Sequence, residues 1–399
     1  MIPSIRSTYN RQFTPQQYQD FLSGIAAEAG EAPAFKVAET PVFIPAQLTA
    51  RIQQACDEIV AVILHPDFKQ QTRDAIPPEL KVPHENDHPH FMVIDFAICR
   101  DEEGNLTPKL IELQGFPSLY AFQELMARQF RTHFTIPDTL CNFFNGLNAT
   151  SYFDLLKEVI IGPCEPEEVV LLEVKPHEQK TRIDFYYTEH KLGIKAVCIT
   201  ELIQEGKKLY YELDGRRIQI KRIYNRVIFD DLRRQQELLG KHVHLFQELE
   251  VEWITHPNWF YRISKYILPF IHSEYAPKSW FLHQLPVIPA DLENYVLKPL
   301  FSFAGQGVLI DVTQADLDKI SDPENWILQH KVQYAPAIET PEGPAYCEIR
   351  MMYIWPDSSP APLLVHNLAR ISRSKMIGVS QGKPQNWTGG SCAFFEQAL

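Results

Sequence analysis

A chain of 399 residues, 45% of them hydrophobic, can bury a substantial core and divide into two or three domains, which excludes a disordered or fibrous protein. Its formal net charge of -12 argues against nonspecific binding to nucleic acid or to anionic membranes and leaves small molecules as the expected partners. Seven scattered cysteines with no Cys-x-x-Cys pair read as reduced thiols of a cytoplasmic protein. The opening MIPSIRSTYN lacks an apolar core and no run of about 18 apolar residues follows, so neither a signal peptide nor a membrane span is expected.

In chain order, Thr14, Pro15 and Gln17 have the pattern of a capping box with proline at the first helical position, so a helix begins there. Leu48, Ile52, Ala55, Cys56, Ile59 and Ile63 recur at helical spacing, which predicts a second amphipathic helix running to about His65 and stopping before Pro66. The stretch HENDHPH (His84–His90) offers metal-ligand residue types. Its Pro89 and irregular spacing favour a polar loop.

Two strand-like runs, FMVIDFAI and PKLIELQGF, flank Asp101–Asn105 and predict a β-hairpin. With the turn near Glu103, Asp95 and Glu112 become cross-strand neighbours, their Cβ atoms about 5 Å apart. Gln114 shares the face of Glu112, while Ile111 and Leu113 take the other side. Two opposed carboxylates repel, and a divalent cation relieves the repulsion. An oxygen-only donor set favours Mg2+ or Mn2+. A solvated sheet face is the plainer alternative.

The middle of the chain changes rhythm. VVLLEV (Val169–Val174), GIKAVCI (Gly193–Ile199), IKRIYNRVI (Ile220–Ile228) and VEWI (Val251–Ile254) alternate with polar or helical stretches, among them a helix-like Asp230–Glu248. This order predicts an α/β layer and a partial Rossmann-like domain between about 160 and 258. No Gly-x-Gly-x-x-Gly fingerprint accompanies it, which argues against a dinucleotide.

The remaining polar chemistry lies toward the C-terminus. In VLKPLFSFAGQGVLI (Val296–Ile310) a strand carries Lys298 to a loop with Gly305 and Gly307, where backbone N–H groups can approach an anion; an ordinary hairpin with a solvated lysine has the same spacing. WILQHKV (Trp326–Val332) reads as a buried strand broken by Gln329, His330 and Lys331, as a hinge holding a purine through backbone groups would be. CEIRMMYIW places Glu348 and Arg350 on one strand face, and LLVHNLARIS brings Asn367 and Arg370 alongside in a register that the long intervening turn leaves open. An acid and two arginines could orient Mg2+ and neutralise a transferred phosphoryl group, or could form a surface ion-pair ladder.

Together these pieces resemble the ATP-grasp superfamily, with local similarity to bacterial glutathione synthetases and related ligases. The resemblance spans most of residues 47–120 and 220–392. It sets Lys298 at the second ATP lysine, with Ser302, Gly305 and Gly307 in the phosphate loop, and places Lys265, in HPNWFYRISKYIL, at the first lysine. WILQHKV occupies the adenine-hinge position. LVHNLARIS and QNWTGGS resemble the arginine and asparagine-glycine segments, which implies Arg370 at the γ-phosphate and Asn386, Gly389 and Gly390 in the adjoining loop, with Arg350 as a further catalytic cation. IYNRVIFDD resembles the end of the preceding domain and puts Arg226 near the substrate cleft.

The metal segment, which ordinarily comes last in this family, comes first here. VIDF and LIELQGFPS match it through Asp95, Glu112 and Gln114, with Glu348 approaching from the other half, so the chain resembles a circularly permuted ATP-grasp protein such as glutathionylspermidine synthase. Such a permutation is compatible with domain ends that lie close together. The implied organisation is a permuted C-terminal part over 1–150, a Rossmann-like domain over 151–260, a nucleotide-binding lobe over 261–340 and the rest of the catalytic lobe over 341–399.

The implied activity is ATP- and Mg2+-dependent joining of a small-molecule carboxylate to an amine through an acylphosphate. Two departures qualify it: Gln114 replaces the usual asparagine, and Ser302 stands where a loop glycine is common. The alternatives are an ATP-binding regulatory module without ligation, and a phosphotransferase that stops at a phosphorylated product.

Overall fold

The computed structural model describes residues 1–229, 232, 242–302, 306–374 and 385–397. At its centre lies an antiparallel sheet of six strands in the order Gly389–Ser391, Leu363–Ser372, Gly343–Ile354, Phe91–Arg100 and Leu106–Gln114, with Ile338–Thr340 paired to Gly343–Ile354. The two long hairpin strands form where alternating residues were expected to separate an apolar from a polar face. Their turn closes over Asp101–Asn105, where the Asn105 N–H donates to Asp101 Oδ1 at 2.7 Å and Gly104 takes a left-handed φ of 83°.

Period 2 then sorts the side chains. Met92, Ile94, Phe96, Ile98, Ile349 and Met351 face a core covered by the helix Ala46–Ile63, which buries the six apolar residues whose spacing predicts it. On the opposite face, Phe91, Val93 and Met352 pack with Tyr120 at one end of the sheet, while Asp95 and Arg350 occupy its middle. The expected capping box also forms: Thr14 caps the helix Pro15–Ala29 reciprocally with Gln17.

A second sheet is parallel throughout and runs Glu252–Ile254, Arg222–Asn225, Val169–Glu173, Lys195–Cys198, with the helices Ala149–Ile160 and Arg182–Leu192 among its neighbours in sequence. The continuous apolar run Val169–Leu172 is buried on both sides, as parallel strands require. Of the expected helix over Asp230–Glu248, residues 242–248 are not helical, and 230, 231 and 233–241 lie outside the described residues. The prolonged strand expected over Ile220–Ile228 is divided: Arg216–Ile220 closes a separate sheet with Ile203–Glu205 and Lys208–Leu213, and only Arg222–Asn225 enters the parallel layer.

The third major sheet is antiparallel, in the order Ser279–Phe281, Trp326–His330, Tyr295–Pro299, Leu309–Ile310. The fold is therefore mixed α/β with several sheets. Residues from both ends of the chain share one small layer, in which Val42–Ile44 pairs in parallel with Ala393–Glu396. Among the described residues no helix is long and apolar enough to cross a membrane.

The link between the hairpin and the helix Asn258–Arg262 is tight. Gly115 follows the second hairpin strand, its N–H donates to the Ile263 carbonyl at 2.8 Å, and a Cβ there would run into the carbonyl oxygen of Trp259. Backbone cannot yield as a flexible side chain does, so Gly115→Ala is expected to lower unfolding stability by about 1–3 kcal/mol. Equilibrium urea denaturation measures this, and an unchanged midpoint would show that the close approach is not a constraint.

Candidate functional site

Strand register builds the site. Asp95 lies opposite Glu112 across the hairpin, Arg350 opposite Asp95, and Arg370 opposite Glu348. Arg350 makes a two-pronged contact in which Nε and Nη2 donate to the two oxygens of Asp95, each at 2.6 Å. Arg370 Nη1 donates to Glu348 Oε2 at 3.1 Å and stands 3.6 Å from Asp95 Oδ2, so one guanidinium bridges two carboxylates. Gln114 Nε2 donates to Glu112 Oε1 at 2.8 Å. The expected convergence of Asp95, Glu112 and Gln114 with Glu348 is thus present as geometry.

Two lysines enter from outside the central sheet. Lys265 begins the 3-10 turn Lys265–Phe270, capped by Ser264, and its Nζ stands 3.9 Å from Glu112 Oε2. The same Nζ donates to the Ser302 carbonyl at 2.8 Å and reaches its hydroxyl at 3.3 Å. Lys298, on the strand Tyr295–Pro299, donates to the Ile111 carbonyl at 3.0 Å. A β-bulge makes that acceptor accessible: Asp95 pairs with Glu112 and Phe96 with Leu110, which leaves Ile111 without a partner in the register.

Burial sets the electrostatics. It raises the Asp95 carboxyl, but Arg350 and Arg370 outweigh it and hold the group below the usual carboxylate range. Burial also pushes Glu348 up, opposed by Arg370 and by Tyr334, whose hydroxyl donates to Glu348 Oε1 at 2.5 Å. Against burial, Asp95 and Glu348 keep Arg370 firmly protonated. Burial lowers Lys265, and it pushes Lys298 down to about 8, with Glu112 pulling the other way. Three carboxylates therefore face four cations, and the two lysines are desolvated beyond what those carboxylates compensate. An anion entering beside the lysines would relieve that cost.

Other expected residues are placed differently. Gln329 is buried and donates to Ser279 Oγ at 2.9 Å, while the N–H groups of His330 and Lys331 donate to Lys278 and Asn294 carbonyls, each at 2.9 Å, so these two hinge donors are already engaged. The His330 ring packs beside Trp280 and Tyr295, and the Lys331 amine pairs with Asp311. Gly307 takes a left-handed φ of 72°, and Gly305 lies outside the described residues. Asn386 donates to Glu342 Oε1 at 2.9 Å, and Gly390 pairs with Arg370 in the sheet. The strand carrying Asn367 and Arg370 does lie alongside that of Glu348 and Arg350, but three residues along a strand reverse the face, so Asn367 falls opposite Met351 and its amide ties the Asn142 and Ala393 backbones.

Arg226 is buried with its guanidinium 4.6 Å from the Phe116 ring and 5.4 Å from that of Phe185, and neither Nε nor Nη1 has a hydrogen-bond partner among the described residues. Phe116 lies two residues beyond Gln114, so this cation neighbours the hairpin end of the site. Sequence reasoning missed Tyr334 and the Ile111 carbonyl. No residue pattern marks a loop tyrosine as a carboxylate partner, and a bulge at Ile111 is invisible to strict alternation.

No family model matches the chain, and no curated protein sequence matches it. Among solved structures, its fold is similar to that of a glutathione synthetase-like effector from Globodera pallida in its apo form, with a TM-score of 0.54 over 90% of this chain and 95% of that chain, at 12% identity. At such identity the likeness shows the fold.

The Lys298 amine is expected to titrate near 8 in the folded protein rather than near its ordinary value of about 10.4, and Glu112→Gln should move it lower still by removing the main opposing charge. The burial penalty on charged Lys298 is fully present below about pH 8 and fades as pH rises toward the unfolded value, where both states are neutral. Carbon-13 NMR of reductively methylated lysines reads the midpoint, and a value at or above about 10.4 would contradict the buried placement.

Proposed function

We propose that the chain is an ADP-forming carboxylate–amine ligase with a circularly permuted ATP-grasp fold and a Rossmann-like domain spanning roughly 151–260. The supporting observation is the buried convergence of Lys265, Lys298, Arg350 and Arg370 upon Asp95, Glu112 and Glu348. The similarity of fold to a glutathione synthetase-like effector agrees with it, since glutathione synthetases are ATP-grasp ligases.

In this reading Lys265 and Lys298 take the ATP phosphates, Ser302, Gly305 and Gly307 form the phosphate loop, and Gln329, His330 and Lys331 line the adenine. Each lysine exchanges a backbone carbonyl for a phosphate oxygen, which offsets its desolvation more fully. Glu112 and the Gln114 amide oxygen are the readiest donors for Mg2+. Asp95 and Glu348 can join them because a carboxylate carries about four lone-pair sites, more than their arginine contacts use. Bound Mg2+ would neutralise charge on the phosphates.

The substrate carboxylate attacks the γ-phosphorus, the bond to the β-phosphate oxygen breaks, and ADP leaves an acylphosphate. The amine then attacks the acyl carbon, expels phosphate and loses a proton to give the amide. Arg370 and Arg350 would stabilise charge on the moving phosphoryl group, with Asn386 in the adjoining loop and no protein nucleophile required. A non-ligating nucleotide-binding module is the second reading. It is favoured by Ser302, which engages Lys265 through both its carbonyl and its hydroxyl, and by the longer arm of Gln114.

The test measures ADP release with Mg2+ across a panel of carboxylates and amines, with hydroxylamine to trap the acylphosphate as a hydroxamate. Lys298→Ala should weaken ATP binding by about 1.5–3 kcal/mol. Arg370→Ala should depress kcat more than ATP affinity, because its contact strengthens as phosphoryl charge develops. A stable phosphoester product would replace the ligase with a phosphotransferase, ATP binding without turnover would favour the module, and unchanged ATP affinity in a folded Lys298→Ala protein would remove the nucleotide assignment.

A further inference from the structure

The HENDHPH stretch plays no part in the site just described, yet the fold gives it a definite arrangement. The chain bends at His88 and at His90, and both imidazoles reach the same carboxylate. His88 Nε2 and His90 Nε2 each stand 3.4 Å from the same atom, Oδ1 of Asp357. A ring nitrogen of His90 and carboxylate oxygens of Asp357 and Glu252 all lie within 4.8 Å of one another, and His88 joins this group through Asp357 alone. His90 is only 3% exposed, and its Nε2 makes no hydrogen bond among the described residues. That nitrogen faces two carboxylates without closing a hydrogen bond to either, a gap that a shared cation would fill.

We infer that His90, Asp357 and Glu252 form a binding site for a first-row transition-metal dication of the zinc class, with His88, beside Asp357, as its fourth ligand. Ligand atoms held tetrahedrally about 2.0–2.1 Å from zinc are separated from one another by roughly 3.3–3.4 Å, the spacing that both imidazoles keep from Asp357. Imidazole nitrogens with carboxylates suit zinc and its neighbours rather than Mg2+. The supporting contacts are also present. The His88 ring stacks on Trp355 at 4.3 Å, and its Nδ1 lies 3.3 Å from the Pro89 carbonyl, a suitable acceptor for the ring proton when Nε2 binds metal. Glu252 gives one oxygen, Oε2, to Arg222 at 2.8 Å and retains the other.

Asn86 sets the starting tautomer of His90. Its Oδ1 accepts from Trp259 Nε1 at 2.7 Å, which turns Nδ2 toward His90 Nδ1 at 3.4 Å and makes that nitrogen an acceptor. The ring proton therefore sits on Nε2 in the metal-free chain; binding moves it to Nδ1 and requires the Asn86 amide to turn. The ion would join three segments distant in sequence: the loop before the first hairpin strand, the turn after Gly343–Ile354, and Glu252–Ile254 of the parallel sheet.

The full chain, stripped with a chelator, is titrated calorimetrically with Zn2+ and spectroscopically with Co2+. One equivalent is expected at this site, with the intense visible bands of tetrahedral Co2+. Asp357→Asn should preserve the fold, since that side chain is 68% exposed, and should weaken Zn2+ binding at least tenfold while abolishing the Co2+ bands. His90→Gln should do the same, Asn86→Asp should tighten binding by supplying an acceptor to Nδ1, and Glu112→Gln should leave it intact. Absence of Zn2+ binding in the parent chain, unchanged affinity in Asp357→Asn, or loss of binding in Glu112→Gln would each overturn the assignment.

Discussion

The pairing of Asp95 with Arg350 in the middle of the central sheet constrains everything around it. Both side chains are almost wholly buried, and removing one partner of such a pair typically costs about 3–5 kcal/mol because the other charge is stranded. The contact is bidentate and spans two antiparallel strands, so it also fixes register: a slip of one residue would send one member into the apolar face under the helix Ala46–Ile63. Arg370 extends the constraint to a third strand through Glu348.

The two lysines follow a different logic. Neither is needed to balance a single carboxylate at close range, for Lys265 stands 3.9 Å from Glu112, and the contacts recorded for Lys298 Nζ are to a backbone carbonyl. A neutral side chain at either place would be cheaper in the unliganded fold, since burial is the largest influence on both amines. Two buried ammonium groups beside the guanidinium groups of Arg350 and Arg370 suit the binding of an anion, and the same groups on a surface ladder would have been solvated instead.

Much of this was legible because it is local. The hairpin, its turn and the pairing of Asp95 with Glu112 depend on alternation over twenty-odd residues, and the helix over Leu48–Ile63 on a single repeat. The pairing of Glu348 with Arg370 was not readable, because the turn between their strands has no fixed length rule and a one-residue change inverts the face. Asn367 shows the consequence: near Arg370 in sequence, it serves the opposite side of the sheet. The role of the Ile111 carbonyl depends on a bulge, and that of Tyr334 on an isolated bridge between its backbone and Cys99, so neither has a signature in residue type. HENDHPH reads as an irregular loop for the same reason, since its partners Asp357 and Glu252 come from two other parts of the chain.

The two clusters lie along the same pair of strands. His90 immediately precedes the strand that carries Asp95, and Asp357 follows the strand that carries Arg350, whose last residue, Ile354, pairs with Phe91. The backbone ties these ends together, with the Trp355 N–H donating to the His90 carbonyl at 2.8 Å. Asp95 lies five steps beyond His90 along the chain, about 17 Å at the usual rise. A cross-link at His90 and Asp357 would therefore act on register rather than on the charges directly. Pinning the strand ends there would oppose any slip that breaks the two-pronged contact, and would fasten the parallel sheet, through Glu252, to the edge of the same frame.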